Sequence, residues 1–216
     1  SVRAIGWFLE EYGIAQVSMN LTDISVTPIH LAFEEACDKA AARGMRVTGS
    51  EIVGLVPLRA MLDAGRYFLA KQKRSLGVPD EEVVRLAVRS LGLDDLKPFD
   101  PHQKVIEWRL AQGARPGLVD LPVKGFVHRV ASEAPAPGGG SVAALAGALG
   151  AALGTMVANL SAHKRGWDHR WEEFSAWAVQ GRDCHEQLLR LVDEDTRAFD
   201  ALLAAFRLPQ DHEGRT

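Results

Sequence analysis

The sequence predicts an α/β layered domain, built from a short sheet with helices, followed by an all-α helix-bundle domain, so that the chain is helix-rich overall. Strand-type and helix-type patterns alternate in the first part, which is typical of layered α/β domains. A stretch containing Gly and Pro begins at Gly113, and nearly everything beyond it has helical periodicity. The 216 residues are enough for two small domains. We therefore predict a first domain at residues 1–113, a linker at 114–122 and a second domain at 123–216.

Two strands and four helices are predicted in the first domain. Residues 14–21 alternate apolar and polar side chains, which predicts a strand with one buried face. Thr27 and Pro28 are of the residue types that cap and begin a helix, and this helix is expected to end near Gly44. Residues 45–56 have the pattern of a second strand. Further helices are expected to begin at Pro57 and to span residues 80–91 and 101–112.

The second domain is predicted to be a bundle of helices at residues 123–131, 142–162 and 168–206. The middle helix lies in a stretch without formal charge, from Ser141 to Ala162. Its length is close to the roughly 20 residues that cross a bilayer. It consists mostly of Ala and Gly, however, and Gly147, Gly150 and Gly154 give it a smooth face that another helix can approach closely. We predict a central helix of the bundle, with a membrane span as the alternative.

Composition argues against several classes of function. The net charge is −3, from 25 basic and 28 acidic residues, so no global field attracts nucleic acid or a membrane surface. Cys37 and Cys184 lie far apart without a CxxC motif, which favours a reducing, cytoplasmic location and no disulfide framework. The histidines have no recognised zinc spacing and HExxH is absent, so no metal is expected.

The sequence Pro-Gly-Gly-Gly-Ser ending at Ser141 is a candidate binding loop. Its three glycines, Gly138, Gly139 and Gly140, allow unusual backbone conformations and close approach by a ligand. Ser141 is expected to cap the helix that follows, whose free amides and positive dipole end suit an anion. A loop that only caps a tightly packed helix is the alternative. The Lys-Ser/Thr ending of a nucleotide P-loop is absent, so ATP or GTP binding is not expected.

An aspartate falls on the apolar face of the last predicted helix. Asp195 lies in the middle of this stripe, whereas Asp193 points away from it. The apolar members of the stripe are Leu188, Val192, Phe199, Leu202 and Phe206. A carboxylate is seldom buried without a partner, because its desolvation is costly. The pattern predicts either a functional carboxylate or one that is paired with a cation of a neighbouring helix or faces a polar notch at a subunit contact.

Lys164 is a further candidate, because it follows the Ala-rich helix in a run of charged residues. It could receive a ligand that bears a carboxylate. The alternative is a solvated cation that complements the helix dipole.

Four motifs resemble the formimidoyltransferase-cyclodeaminase family. Residues 15–21, AQVSMNL, and 49–58, GSEIVGLVPL, look like the C-terminal subdomain of the glutamate formimidoyltransferase part. Residues 136–144, APGGGSVAA, and the LVDED sequence that begins at Leu191 look like the start of the cyclodeaminase part. The motifs occur in the order of the fusion, and the resemblance covers nearly the whole chain.

The resemblance implies two consecutive reactions of histidine degradation. A formimino group passes from N-formimino-L-glutamate to N5 of tetrahydrofolate. Ring closure then gives 5,10-methenyltetrahydrofolate and ammonia. The resemblance also implies a homo-oligomer, a polyglutamylated folate that passes between sites, and no requirement for a metal. Neither a nucleic acid nor a membrane is an expected partner.

The resemblance further implies that one aspartate in residues 191–199 is catalytic, and the stripe favours Asp195 over Asp193. Its role would be proton transfer as N10 attacks the formimino carbon and the amine departs. The loop at residues 138–141 would approach the folate, and Lys164 would serve its glutamate tail. The transferase histidine of the family belongs to a subdomain that this chain does not contain. The alternative is therefore a catalytically incomplete folate-binding or oligomerisation module.

Overall fold

The computed structural model describes residues 1–113 and 116–207. These residues form two compact units: the first comprises residues 1–73 and 79–113, and the second comprises residues 74–78 and the described residues from 116 onward. A two-stranded sheet at the N-terminus is followed by helices, which confirms the predicted fold class. The assignment of residues 74–78 to the second unit was not anticipated from the sequence.

The sheet is an antiparallel hairpin of β1 (Val2–Leu9) and β2 (Ile14–Leu21). Val2 pairs with Leu21 at its open end and Leu9 with Ile14 next to the turn. Gly13 closes the turn at φ +62°, a conformation that favours glycine. Strand β2 was predicted. The sequence analysis missed β1, because its three consecutive apolar residues at positions 7–9 break the alternation that marks a strand.

The prediction of a second strand at residues 45–56 is wrong. This segment forms only one isolated bridge, between Val56 and Val105, which run parallel. The segment instead bonds to carbonyls at the end of a helix: the Ser50 amide donates to Gly92 at 3.0 Å, and the Ser50 hydroxyl donates to Leu91 at 2.6 Å. Apolar content suits a strand, but a strand also needs a neighbouring strand, and none lies beside this segment in residues 1–113 and 116–207.

Five helices complete the first unit. They are α1 (Ile29–Ala41), α2 (Leu58–Lys71), α3 (Asp80–Ser90), α4 (Pro101–Lys104) and α5 (Ile106–Ala111). No side chain caps α1, so Thr27 does not have the predicted role. The core lies between α2 and α3, where Met61 and Val84 are fully buried. The single helix predicted at residues 101–112 is interrupted at Val105, which takes an extended conformation and bridges to Val56.

The helices of the second unit are α6 (Val123–Val130), α7 (Gly139–Ser161) and α8 (Trp171–Phe206), with a 3₁₀ turn before α8. Helices α7 and α8 are packed closely because small residues line their contact. A Cβ on Gly181 would collide with the Thr155 hydroxyl, and one on Gly147 would lie 3.3 Å from Leu188. Ala178 of α8 is also fully buried.

The described residues of this unit cover only one face of α7. Its outer face is apolar and exposed, with Leu149, Leu153, Met156 and Leu160 each at least half exposed. Among the described residues, α7 alone is long and apolar enough to cross a membrane by length and composition. Its inner face, however, packs against α8, which carries many charged residues. The interpretation as a bundle helix rests on this packing.

A buried histidine lies between α1 and α2. His30 is 7% exposed and its ring stacks on Tyr67 at 4.5 Å between centroids. Within the described residues its Nδ1 has no hydrogen-bond partner. Burial lowers the pKa of His30, against the opposing influence of Asp63 and Glu34. Glu34 itself accepts hydrogen bonds from Lys71 and Tyr67, which lower the pKa of Glu34.

We expect His30 to make the first unit less stable in acid. Because its pKa is lower when folded than the ordinary value of 6.5, the unfolded chain binds the proton more readily. The contribution of His30 to the free energy of unfolding is therefore complete above pH 6.5, and it is lost as the pH decreases from there through the pKa of the folded state. Urea unfolding of the wild type and of His30→Phe, followed by circular dichroism at several pH values, should show a weaker pH dependence in the variant. His169→Phe, at an exposed position, is the control, and equal slopes for wild type and His30→Phe would contradict the prediction.

Candidate functional site

The glycine-rich loop runs directly into α7. The helix begins at Gly139, three residues before the predicted start, and Gly138 occupies the N-cap position without a side-chain cap. Ser141 is thus the third helical residue, and its predicted role as the cap is wrong. The acceptor comes from α8 instead: the Asp195 carboxylate accepts the Ser141 amide at 2.9 Å. A carboxylate at this position also lies at the positive end of the α7 dipole.

The Ser141 side chain is fully buried and holds Asp195 in place. Its hydroxyl lies 2.8 Å from the Val192 carbonyl, 3.0 Å from Asp195 Oδ2 and 3.2 Å from the Thr196 hydroxyl. A hydroxyl has one proton to donate and can accept at the same time, so Thr196 is able to donate to it. Ser141 therefore fixes the carboxylate, and its burial keeps its own hydroxyl from direct contact with a ligand.

The two oxygens of Asp195 have different surroundings. Oδ2 accepts from both the amide and the hydroxyl of Ser141. Oδ1 lies against Gly140, where a Cβ would collide with it. In the described part of the chain, Oδ1 has no hydrogen-bond donor and Asp195 forms no ion pair. The partner of this half-buried aspartate is therefore the start of α7, rather than a Lys or Arg of a neighbouring helix.

Asp195 borders an open cleft of about 570 Å³. The cleft lining is Gly140, Ala143, Ala144, Leu188, Leu191, Glu194, Asp195 and Ala198. An apolar wall with a carboxylate at its edge can bind the face of a flat ring while the carboxylate accepts a proton or an N–H group. Glu194 was not singled out from the sequence, because its position beside the apolar stripe reads as an ordinary solvated helix face.

Asp193 lies outside the cleft lining. Its Oδ1 accepts the Leu118 amide at 2.6 Å, and a Cβ on Gly117 would lie 2.6 Å from its Oδ2. Asp193 therefore anchors residues 117–118 against α8. The structure brings Asp195 together with Gly140 and Ser141 of the loop and directs Asp193 elsewhere.

Lys164 lies beyond the far end of α7. Its ammonium group is 4.3 Å from the centroid of the Trp167 ring. The 23 residues of α7 correspond to roughly 34 Å of helix, so within one chain Lys164 is remote from the cleft. No group of three or more potential metal ligands is found within residues 1–113 and 116–207.

Comparison with protein families agrees with the two-part organisation. Residues 1–111 match the family model described as formiminotransferase domain, and residues 122–216 match the one described as formiminotransferase-cyclodeaminase. The chain belongs to the formiminotransferase-cyclodeaminase family. The resemblance noted from the sequence motifs is therefore confirmed.

Some relatives match nearly the whole chain, and others match a shorter stretch of it. The mouse formimidoyltransferase-cyclodeaminase is 44% identical over 211 residues, which are 97% of this chain and 39% of the relative. A glutamate formimidoyltransferase of Thermoplasma acidophilum is 43% identical over 68 residues, or 32% of this chain and 22% of the relative. A methenyltetrahydrofolate cyclohydrolase of Methylorubrum extorquens is 35% identical over 89 residues, or 41% of this chain and 43% of the relative. The chain thus spans about two fifths of the length of its two-part mouse relative.

We predict that Gly140→Ala destabilises the second unit by about 1–3 kcal/mol, because the new Cβ displaces the Asp195 carboxylate from the start of α7. The matched control is Gly139→Ala, where a Cβ has no neighbour within 4 Å, and its effect should stay within about 0.5 kcal/mol. Urea unfolding of both variants tests this. Equal stability of the two variants would show that the contact between Gly140 and Asp195 is not required.

Proposed function

We propose that this chain carries part of a two-activity folate enzyme of histidine degradation, active in the cytoplasm. The enzyme transfers a formimino group from N-formimino-L-glutamate to N5 of tetrahydrofolate. It then converts 5-formiminotetrahydrofolate into 5,10-methenyltetrahydrofolate and ammonia. The observation that carries the proposal is Asp195, held by one oxygen at the rim of an apolar cleft, in a chain that matches both parts of the family.

The ring-closing step requires one proton to move between two nitrogens. N10 attacks the carbon of the protonated formimino group (N5–CH=NH2+) and forms a new C–N bond, while the π pair of the C=N bond moves to the departing nitrogen and makes it an –NH2 group. N10 then loses its proton. The –NH2 nitrogen gains that proton and leaves as ammonia with the electron pair of the old C–N bond, and the N5 lone pair forms the new C=N bond of the methenyl cation. A single carboxylate can perform both transfers, because it accepts the proton from N10 and returns it to the leaving nitrogen.

Asp195 has the geometry for this shuttle. Oδ2 is fixed by Ser141, so the carboxylate does not rotate away, and Oδ1 is available beside Gly140. Gly140, which has no side chain, leaves room for Oδ1 itself, and Asp195 is part of the cleft lining. We assign Gly138, Gly139 and Gly140 to the binding wall, and Ser141 to the positioning of Asp195.

The apolar walls suit the flat pteridine part of the folate. Leu188 and Leu191 of α8 and Ala143 and Ala144 of α7 provide them. Tetrahydrofolate is the carrier of the one-carbon group in this proposal.

Lys164 remains our proposal for contact with the glutamate tail. Its distance along α7 means that it would meet either a long polyglutamate tail or a folate bound in the cleft of another copy of the chain. Arg165 and Arg170 lie close to it in sequence and add positive charge. Such a cluster attracts carboxylates, although each exposed contact contributes only modestly.

A binding or oligomerisation module without turnover is the second candidate function. Folate binding without ring closure by the purified chain would support this candidate over the enzyme.

We predict that Asp195→Asn lowers the rate of ring closure by about 10²–10⁴-fold, because an amide keeps the shape of the side chain but cannot shuttle the proton. The assay follows methenyltetrahydrofolate absorbance after addition of 5-formiminotetrahydrofolate. Asp193→Asn is the control: it alters the anchor of Leu118 and should retain turnover. Unchanged turnover in Asp195→Asn, with circular dichroism of a folded protein, would remove Asp195 from the mechanism.

We also propose that the protein is a homo-oligomer in which the outer face of α7 is covered. Val142, Leu149, Leu153, Met156 and Leu160 lie on this face and are 39–67% exposed. Their spacing of three, four and seven residues is the spacing with which helices pack against one another.

We predict that Leu153→Glu shifts the protein to a smaller assembly, because a carboxylate in this face opposes its burial. Light scattering after size exclusion measures the mass. Val123→Glu, which replaces an apolar residue that is 84% exposed on α6, is the control and should leave the mass unchanged. A monomeric wild type would contradict the proposed oligomer.

A further inference from the structure

A short segment that follows α2 in sequence is built into the second unit. Residues 74–78, here called the strap, lie between α2 and α3 in the chain but pack with α7 and α8. Ser75 is fully buried there, and Gly77 is also buried. Such burial is unusual for a loop, because its backbone polar groups need partners other than water.

Side chains of α7 and α8 satisfy the backbone of the strap. The Leu76 amide donates to the Ser175 hydroxyl at 2.9 Å, and the Leu76 carbonyl accepts from Arg182 at 3.4 Å. The Asn159 amide group donates to the Gly77 carbonyl at 3.2 Å. Three backbone groups of the strap are therefore bound by three side chains from two helices.

Two positions of the strap are also selected by residue type. The Ser75 hydroxyl donates to Asn159 Oδ1 at 2.6 Å and accepts the Gly77 amide at 3.2 Å. Gly77 lies against the main chain and side chain of Ala178, and a Cβ at this position would collide with both. The contact surface of α7 and α8 thus accommodates a serine and a glycine that lie two residues apart in the strap.

The side chains of α7 and α8 around the strap also depend on it for their hydrogen bonds. Ser175 is 4% exposed. The side chain of Asn159 accepts a hydrogen bond from Ser75 and donates one to the Gly77 carbonyl. Without the strap these groups would lose the hydrogen bonds that offset their burial. Ala178, which is fully buried, would lose its contact with Gly77.

We propose that Asn159, Ser175, Ala178 and Arg182 form a docking groove for one extended segment of this chain, Ser75-Leu76-Gly77, and that α7 and α8 keep their packing only with the strap in place. The groove recognises main-chain amide and carbonyl groups together with a Ser-x-Gly pattern. The proposal concerns only the second unit and is independent of its activity.

Hydrogen exchange on the whole chain tests the docking. In the wild type the Leu76 and Gly77 amides should be protected, and Ser175→Ala should speed exchange at Leu76 roughly fivefold, the effect of one lost hydrogen bond. Gly77→Ala should expel the strap, so that both amides exchange close to the rate of an unstructured peptide and exchange in α7 and α8 accelerates. Gly154→Ala in α7, where a Cβ has no neighbour within 4 Å, is the control and should leave the strap protected. Unprotected strap amides in the wild type would overturn the proposal, as would equal behaviour of Gly77→Ala and Gly154→Ala.

A double-mutant cycle tests the proposal without expelling the strap. Ser75→Ala and Asn159→Ala each remove one partner of the same hydrogen bond, so the double variant should exchange little faster in α7 and α8 than the Asn159→Ala variant alone. Independent, multiplicative effects of the two changes would show that the strap and the groove do not act together.

Discussion

The second unit depends on the contact between the Asp195 carboxylate and the first turn of α7. This contact satisfies an amide at the helix start that no local side chain caps. It explains why residue 140 is glycine, since any side chain there would occupy the position of Oδ1. It also explains the burial of Ser141, whose hydroxyl joins the same carboxylate to the main chain of α8. The glycine-rich loop, the first turn of α7 and the Asp195 carboxylate are therefore held together by one set of contacts.

Structural and catalytic roles do not exclude each other at Asp195. A carboxylate that caps a helix is held in one orientation by that role, and a proton shuttle needs a fixed orientation as well. Both roles are compatible because Ser141 holds Oδ2, whereas Oδ1 has no hydrogen-bond donor among the described residues. Asp193, although only two residues away, accepts the Leu118 amide and anchors residues 117–118 against α8.

Local patterns predicted the positions of side chains better than their partners. Helical periodicity placed Asp195 on the side of α8 that meets α7, because it depends only on the rotation per residue, but Phe199, Leu202 and Phe206 of the same stripe are 38–62% exposed. The expected cap at Ser141 was wrong, since the acceptor comes from residue 195 on another helix. The prediction of a strand at residues 45–56 was wrong for a similar reason, because a strand must pair with a neighbouring strand and a local sequence pattern does not show whether one is present. The docking of Ser75 and Gly77 likewise depends on groups more than 80 positions away along the chain.

The absence of charge along α7 is consistent with one face that packs against α8 and a second face that we propose to be covered in an oligomer. Small residues on the inner face let α8 approach, while the leucines of the outer face are exposed in this unit and are the ones that we propose to be covered in the oligomer. The cleft beside Asp195 borders the same helix at Ala143 and Ala144 and is open. Proton transfer between two nitrogens is more effective when water is kept away from the reacting groups. Covering α7 would therefore serve both the stability of the helix and the chemistry at its N-terminal end, which connects the proposed assembly to the proposed reaction.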